Sequence, residues 1–343
     1  MSWIIELIKL KIKRVKRDLM QSLAILFFSA VVLASPQASS DPLLKEDVSV
    51  VRASCASDGV SQEKKRFFSV TSKPAASGDL PYFEIRSFKT SNFVRIYYEP
   101  KLSAAAKLKA GCLIGLLDLL APIIPDSRRN IHWSAMVVTT DGKYTPPQQK
   151  DELRWVNVLT NGKWDDKSIY FLIHAMPHEE VHLSQSRSKN ELPRWFLEGH
   201  AEWAALHVTQ KIKPEIAKQR RQELSTAFSQ LKSAHLTTWG GIQVKQEAID
   251  RQLSPEDREK MANDPTYSPA GPFTFGPGDY TEDDENESGR YGAALALFDY
   301  LEKRYGIATT HVWISKVIAS GNAEQVTALA EEVFGQSIKE YLE

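Results

Sequence analysis

His178, Glu179 and His182 spell H-E-x-x-H inside the stretch Ile173 to Leu206. Residues four apart share one face of a helix, so both imidazoles can reach a single metal ion. A Glu beside the first His is placed to take a proton from water activated by that ion. A catalytic zinc takes three protein ligands and leaves one position for water. The third candidate is Glu198, sixteen residues after His182, in the phrase Trp195-Phe196-Leu197-Glu198-Gly199-His200-Ala201-Glu202. Two His and one Glu make a known catalytic zinc set. Glu202 lies four residues after Glu198, on the same helical face.

Together, His178-Glu179-x-x-His182 and the downstream Glu198-Gly199-x-Ala201-Glu202 resemble the gluzincin metallopeptidases, in particular the peptidase-MA-like group related to the aminopeptidase N catalytic domain. The resemblance covers about residues 165–206 and, more loosely, 290–343; it says little about residues 35–150. It implies Zn2+ as cofactor, His178, His182 and Glu198 as its ligands, and Glu179 as the general base. It further implies that Glu202 orients a ligating histidine. The fold it implies is α+β: a zincin-like catalytic domain with a mixed sheet, then the active-site helices, then a C-terminal helical subdomain from about residue 290. In aminopeptidase-like members a Tyr at the start of a late helix donates to the oxyanion. Tyr291 stands at the matching place, with His235 as the alternative donor. The chain has no counterpart of the G-x-M-E-N motif that grips a substrate amino terminus, so aminopeptidase activity is not expected.

Three neighbouring residues need separate readings. His174 precedes His178 by four and would extend the same stripe in an unbroken helix. Pro177 opposes an unbroken helix, because it lacks an N–H and clashes with the preceding turn. Residues 168–175 are therefore read as a separate apolar segment or the far side of a kink, and His174 as a packed histidine. His200, two residues from Glu198, points to another face and is not assigned to zinc.

The elements that must position these residues come next. Phe83–Phe88 and Asn92–Tyr98 alternate apolar and polar residues, which predicts two strands with a turn between. Leu102 to Leu120 has a helical period and ends at Pro122 and Pro125. His132 to Thr140 reads as a strand, Asp141-Gly142 as a hairpin turn, and Leu153 to Leu159 as a further strand. Pro214 to Ser233 predicts a long helix with a solvated face. Gly278 to Glu287 is an acidic loop, without the alternation and central Gly of a calcium site. Arg290 to Tyr305 predicts a helix stopped by Gly306, and short amphipathic helices follow over Val312 to Leu342.

Residues 1–34 carry six basic residues (Lys9 to Arg17) followed by the apolar run Leu23 to Ala34, the order of a secretory signal peptide. The apolar run has 12 residues, short of the ~20 that span a membrane. An uncleaved N-terminal anchor is the alternative, and only then would the protein touch a membrane. Residues 35–80 show weak periodicity and read as a leader, cap or propeptide-like segment, with the metallopeptidase domain over 81–343. Cys55 and Cys112 are the only cysteines, and in an oxidising compartment such a pair is expected as a disulfide. The formal net charge of zero gives no basic footprint for nucleic acid. The expected function is an exported, periplasmic or extracellular zinc peptidase acting on a protein or peptide substrate. The alternatives are a non-catalytic secreted binding or scaffolding module on the same fold, and zinc-dependent hydrolysis of something other than a protein, such as a cell-wall peptide.

Overall fold

The computed structural model describes residues 43, 45–56, 67–76, 78–125, 133–141, 152–185, 192–240, 245–264, 267, 279 and 286–343. The expected signal segment and most of the acidic run 278–287 lie outside them. The described part is α+β, with one mixed sheet and many helices.

Helix α1 (Lys45–Cys55) precedes strands β1 (Phe68–Lys73), β2 (Tyr82–Ser87) and β3 (Phe93–Tyr98). Helices α2 (Ser103–Leu108) and α3 (Ala110–Leu120) then lead to β4 (Trp133–Thr139) and β5 (Glu152–Val158). The strands lie in sequence order; β1–β2 and β2–β3 pair antiparallel, while β3–β4 and β4–β5 pair parallel. The two-strand reading of 83–98 is seen as an antiparallel pair. The hairpin expected at Asp141-Gly142 is corrected: β4 and β5 are parallel, and a tight turn joins only antiparallel neighbours. Alternation along β3 divides its faces, with Val94, Ile96 and Tyr98 in the main core and Tyr97 packed with Ala135 and Val137 on the other side.

Every residue of α3 is buried, so it reads as apolar all round. Its one carboxylate, Asp118, accepts hydrogen bonds from Ser87 Oγ, Thr90 Oγ1 and Asn92 Nδ2, which fixes the turn between β2 and β3. Lys109, just before α3, is fully buried. Its Nζ donates to Ser54 O at 3.0 Å and to Ala56 O, filling carbonyls that the end of α1 leaves without helical partners. A Cys55–Cys112 disulfide joins the same two helices, with Cα atoms 4.9 Å apart. Asp41–Glu343 is one compact unit, with α1 and β1 inside it. Weak periodicity hid them because both are short; α1 is tied to α3, and β1 is held by its antiparallel pairing with β2.

The second half is helical. Helix α4 (Asp166–Tyr170) passes through a π-helical turn (Phe171–Ala175) into α5 (Met176–Gln185), followed by α6 (Arg194–Ile212) and α7 (Pro214–Ser229). Helices α8 (Gln246–Gln252) and α9 (Pro255–Asn263) precede α10 (Glu287–Tyr305), α11 (Ile307–Ser320) and α12 (Val326–Phe334). Helix α10 stops at Gly306, whose φ of 83° favours glycine. Phe298 of α10 and Trp313 of α11 pack on Phe196 with ring centroids 5.9 and 5.3 Å away. These contacts fasten the C-terminal helices to the back of α6. No helix among the described residues is long and apolar enough to cross a membrane.

Candidate metal centre

Pro177 shapes the site from the backbone outward. Residues 168–175, expected as a separate segment or the far side of a kink, lie in one helical run from Asp166 to Gln185 that widens through the π turn ahead of Pro177. Met176 N donates to Phe171 O, five residues back. Such a widened turn accommodates a residue that cannot complete the ordinary ladder. Pro177 has no N–H for Ile173 O, and Thr209 Oγ1 of α6 lies 2.9 Å from that carbonyl. The same hydroxyl reaches Ala205 O at 2.8 Å, so one proton serves two carbonyls across the α5–α6 contact.

Helices α5 and α6 bring together the three expected ligands. His178 Nε2 and His182 Nε2 are 3.1 Å apart, and they stand 3.2 and 3.4 Å from Glu198 Oε2. Three ligand atoms on a tetrahedral zinc, at ~2.0–2.1 Å from the ion, stand ~3.3 Å from one another. The donor set and its spacing therefore fit zinc without rearrangement, and His178, His182 and Glu198 form the one such group among the described residues. Gly199 lets α10 close on this part of α6: a Cβ there would sit 2.8 Å from the Phe298 ring.

Each imidazole is held from behind. His182 Nδ1 lies 2.7 Å from Gln185 Oε1, while Gln185 Nε2 donates to Leu197 O and to His200 Nδ1, each at 3.0 Å. Those two acceptors orient the amide, so its oxygen faces His182 and keeps the proton on Nδ1. With a cation bound, that would leave Nε2 as the donor atom His182 offers to the metal. His178 Nδ1 lies 3.3 Å from Glu202 Oε2, and Glu202 Oε1 also takes His174 Nε2 at 3.2 Å and Arg220 Nε at 2.8 Å. His174 is buried and turned to Glu202, as a packed histidine. His200 is buried among aromatic rings, and burial, with the nearby His182 charge, pushes it down to about 3.

Charge is concentrated here. Burial works against ionised Glu198, but hydrogen bonds from His178 and His182 outweigh it and hold the carboxyl well below its usual range. Burial likewise opposes a proton on His178, yet Glu198 and Glu202 raise it to about 9. Without metal, a proton on His178 occupies part of the space that a cation would fill. Glu179 is half-buried and makes no hydrogen bond or ion pair with another described residue.

Tyr291, at the start of α10, donates its hydroxyl to Glu198 Oε2 at 2.8 Å. Burial and the Glu198 charge push the phenol far up, so it remains a donor at ordinary pH. Trp239 packs edge-on against Tyr291, and the Arg194 guanidinium covers Trp239 at 4.7 Å. His235 is exposed, and its backbone N–H bonds Glu343 O; among the described residues its side chain makes no contact with the ligand group. Sequence reasoning missed Gln185 and Arg220. Gln185 carried a weak signal, three residues after His182 on the same face; Arg220 carried none. In comparisons with protein-family models, curated proteins and solved structures, nothing matches this chain.

Proposed function

We propose that this protein is an exported, zinc-dependent hydrolase of peptide bonds on a zincin-like fold. The observation that carries the reading is the convergence of His178 Nε2, His182 Nε2 and Glu198 Oε2 at tetrahedral-edge spacing, with Glu179 beside the first ligand. Bound there, zinc supplies a Lewis acid that makes water acidic and polarises a carbonyl. Glu179 has no competing partner among the described residues, so its carboxylate takes the proton of the attacking water and passes it to the departing amine. Tyr291 stays protonated and borders Glu198, from where it donates to oxygen that gains negative charge as the carbonyl is attacked. Gln185 and Glu202 keep the two imidazoles aimed.

The protein or peptide substrate is supported by the family resemblance and by β5, which ends the sheet among the described residues. A sheet edge accepts an extended peptide as an added strand. The Cys55–Cys112 disulfide supports an oxidising, exported setting.

The test is zinc content and peptide hydrolysis of the wild type, His178→Ala/His182→Ala and Glu179→Gln. Near one zinc per wild-type chain, none in the double variant, and zinc without turnover in Glu179→Gln are expected. Unchanged turnover in Glu179→Gln would remove Glu179 from the chemistry. A wild type that takes up no zinc after reconstitution would end the reading.

A further inference from the structure

We propose that Arg220, on a helix whose sequence reads only as a solvated surface, is a positioning residue for the metal site. The inference rests on the reading of His178 as a metal ligand. Glu202 is 1% exposed, and a carboxylate buried that deeply needs a permanent counter-charge. Arg220 supplies one: its Nε donates to Glu202 Oε1 at 2.8 Å and its Nη2 to Oε2 at 3.4 Å. This two-point grip fixes the plane of the carboxylate as well as its charge.

The consequence passes along a short chain of contacts. The plane of Glu202 sets where Oε2 meets His178 Nδ1, and that contact sets where His178 Nε2 points. The same carboxylate holds His174 Nε2, just ahead of Pro177. One guanidinium therefore steadies both a ligand and the widened turn before it.

Arg220 arrives on a firmly seated helix. A Cβ on Gly292 would lie 2.2 Å from Leu224 O, so glycine there lets α7 and α10 touch backbone to backbone. Arg221 pairs with Asp299 across the same contact. The outer side of Arg220 lines a cavity of about 350 Å³ with Tyr170, Lys213 and Glu223. A change at Arg220 is thus open to solvent on one side and coupled to the metal on the other.

The experiment uses the full chain. Zinc affinity is measured by chelator competition for wild type, Arg220→Met and Arg220→Lys, with visible spectra of the cobalt-loaded forms and thermal unfolding in chelator. Arg220→Met is expected to bind zinc about 10- to 100-fold more weakly, the range for loss of a group that orients a metal-binding histidine. Its cobalt spectrum should shift at saturating metal. Arg220→Lys, which keeps the charge and loses the fork, should recover part of the affinity. Wild-type affinity and an unshifted spectrum in Arg220→Met would overturn the inference while leaving the metal site standing. A wild type that binds no zinc would overturn both. If Arg220→Met does not fold in chelator, Arg220→Lys decides: wild-type affinity with an unshifted spectrum overturns the role, and a weakened site with a shifted spectrum supports it.

Discussion

His178 is asked to hold two things in turn. In the metal-free protein it holds a proton, with its pKa raised to about 9 by Glu198 and Glu202 against the penalty of burial. Metal must displace that proton. Calorimetric titration with zinc near pH 7, in buffers of different ionisation enthalpy, should therefore show release of about one proton per zinc bound. Release near zero would contradict the assigned charge state. The sign for stability follows from the same shifts. The raised His178 pKa stabilises the metal-free fold below ~6.5, its unfolded value, and that contribution is lost as pH rises through about 9. Glu198 and Glu202 are depressed, so their contribution is present above the usual carboxylate range and is lost as pH falls. Chemical denaturation of the metal-free protein across pH should show both flanks. Gln185→Leu keeps volume but frees His182 Nδ1, and should weaken zinc binding about 10-fold or more with little change in fold. The three candidate ligands could be picked out because their spacing is local, four along one helix and one phrase on the next. Gln185 and Arg220 were less so, because their partners are chosen by how α5, α6 and α7 pack.

Helices are seated by what they lack. Gly292 lacks a Cβ where α10 meets the Leu224 carbonyl, and Gly199 lacks one where α6 meets Phe298. Gly292→Ala is expected to cost more than Gly199→Ala, since a backbone carbonyl yields less than a ring edge. Overpacking of this kind costs roughly 1–3 kcal/mol, measurable by urea denaturation; equal stability to wild type at Gly292→Ala would mean α7 is loosely held. Element types were mostly readable from period, as in β2, β3, α3 and α10. Strand direction was not. Asp141-Gly142 carries turn chemistry, but a turn residue does not say which way the next strand runs. Helix α9 went unread within the Pro- and Gly-rich region, although Ser254 accepts from Asp257 N at its start and Pro255 opens it.

The whole molecule is one unit from Asp41 onward, closed at its N-terminal side by the Cys55–Cys112 link across 57 residues of chain. Such a link stabilises chiefly by limiting the unfolded chain, by about 2–4 kcal/mol. A Cys55→Ala/Cys112→Ala variant should lose that much in denaturant unfolding while still binding zinc, because neither cysteine contacts the ligand group. Loss of zinc at full occupancy of the folded state would show that α3 transmits strain to α5. The early residues looked like a separate cap because the partner of α1 is α3, joined to it by a disulfide 57 residues along the chain. Pairings at that separation leave little trace in local pattern.

The π turn at Phe171–Ala175 carries a last consequence. A helix with one widened turn holds one residue more than a plain α-helix joining the same two ends. The helix that carries His178 and His182 is therefore an accommodated insertion, tolerated because Thr209 serves the carbonyl that Pro177 leaves open. Pro177 and Thr209 form a matched pair across two helices. Chains built on this plan without the proline should be one residue shorter between β5 and the first ligand histidine, and free to carry an apolar residue where Thr209 stands.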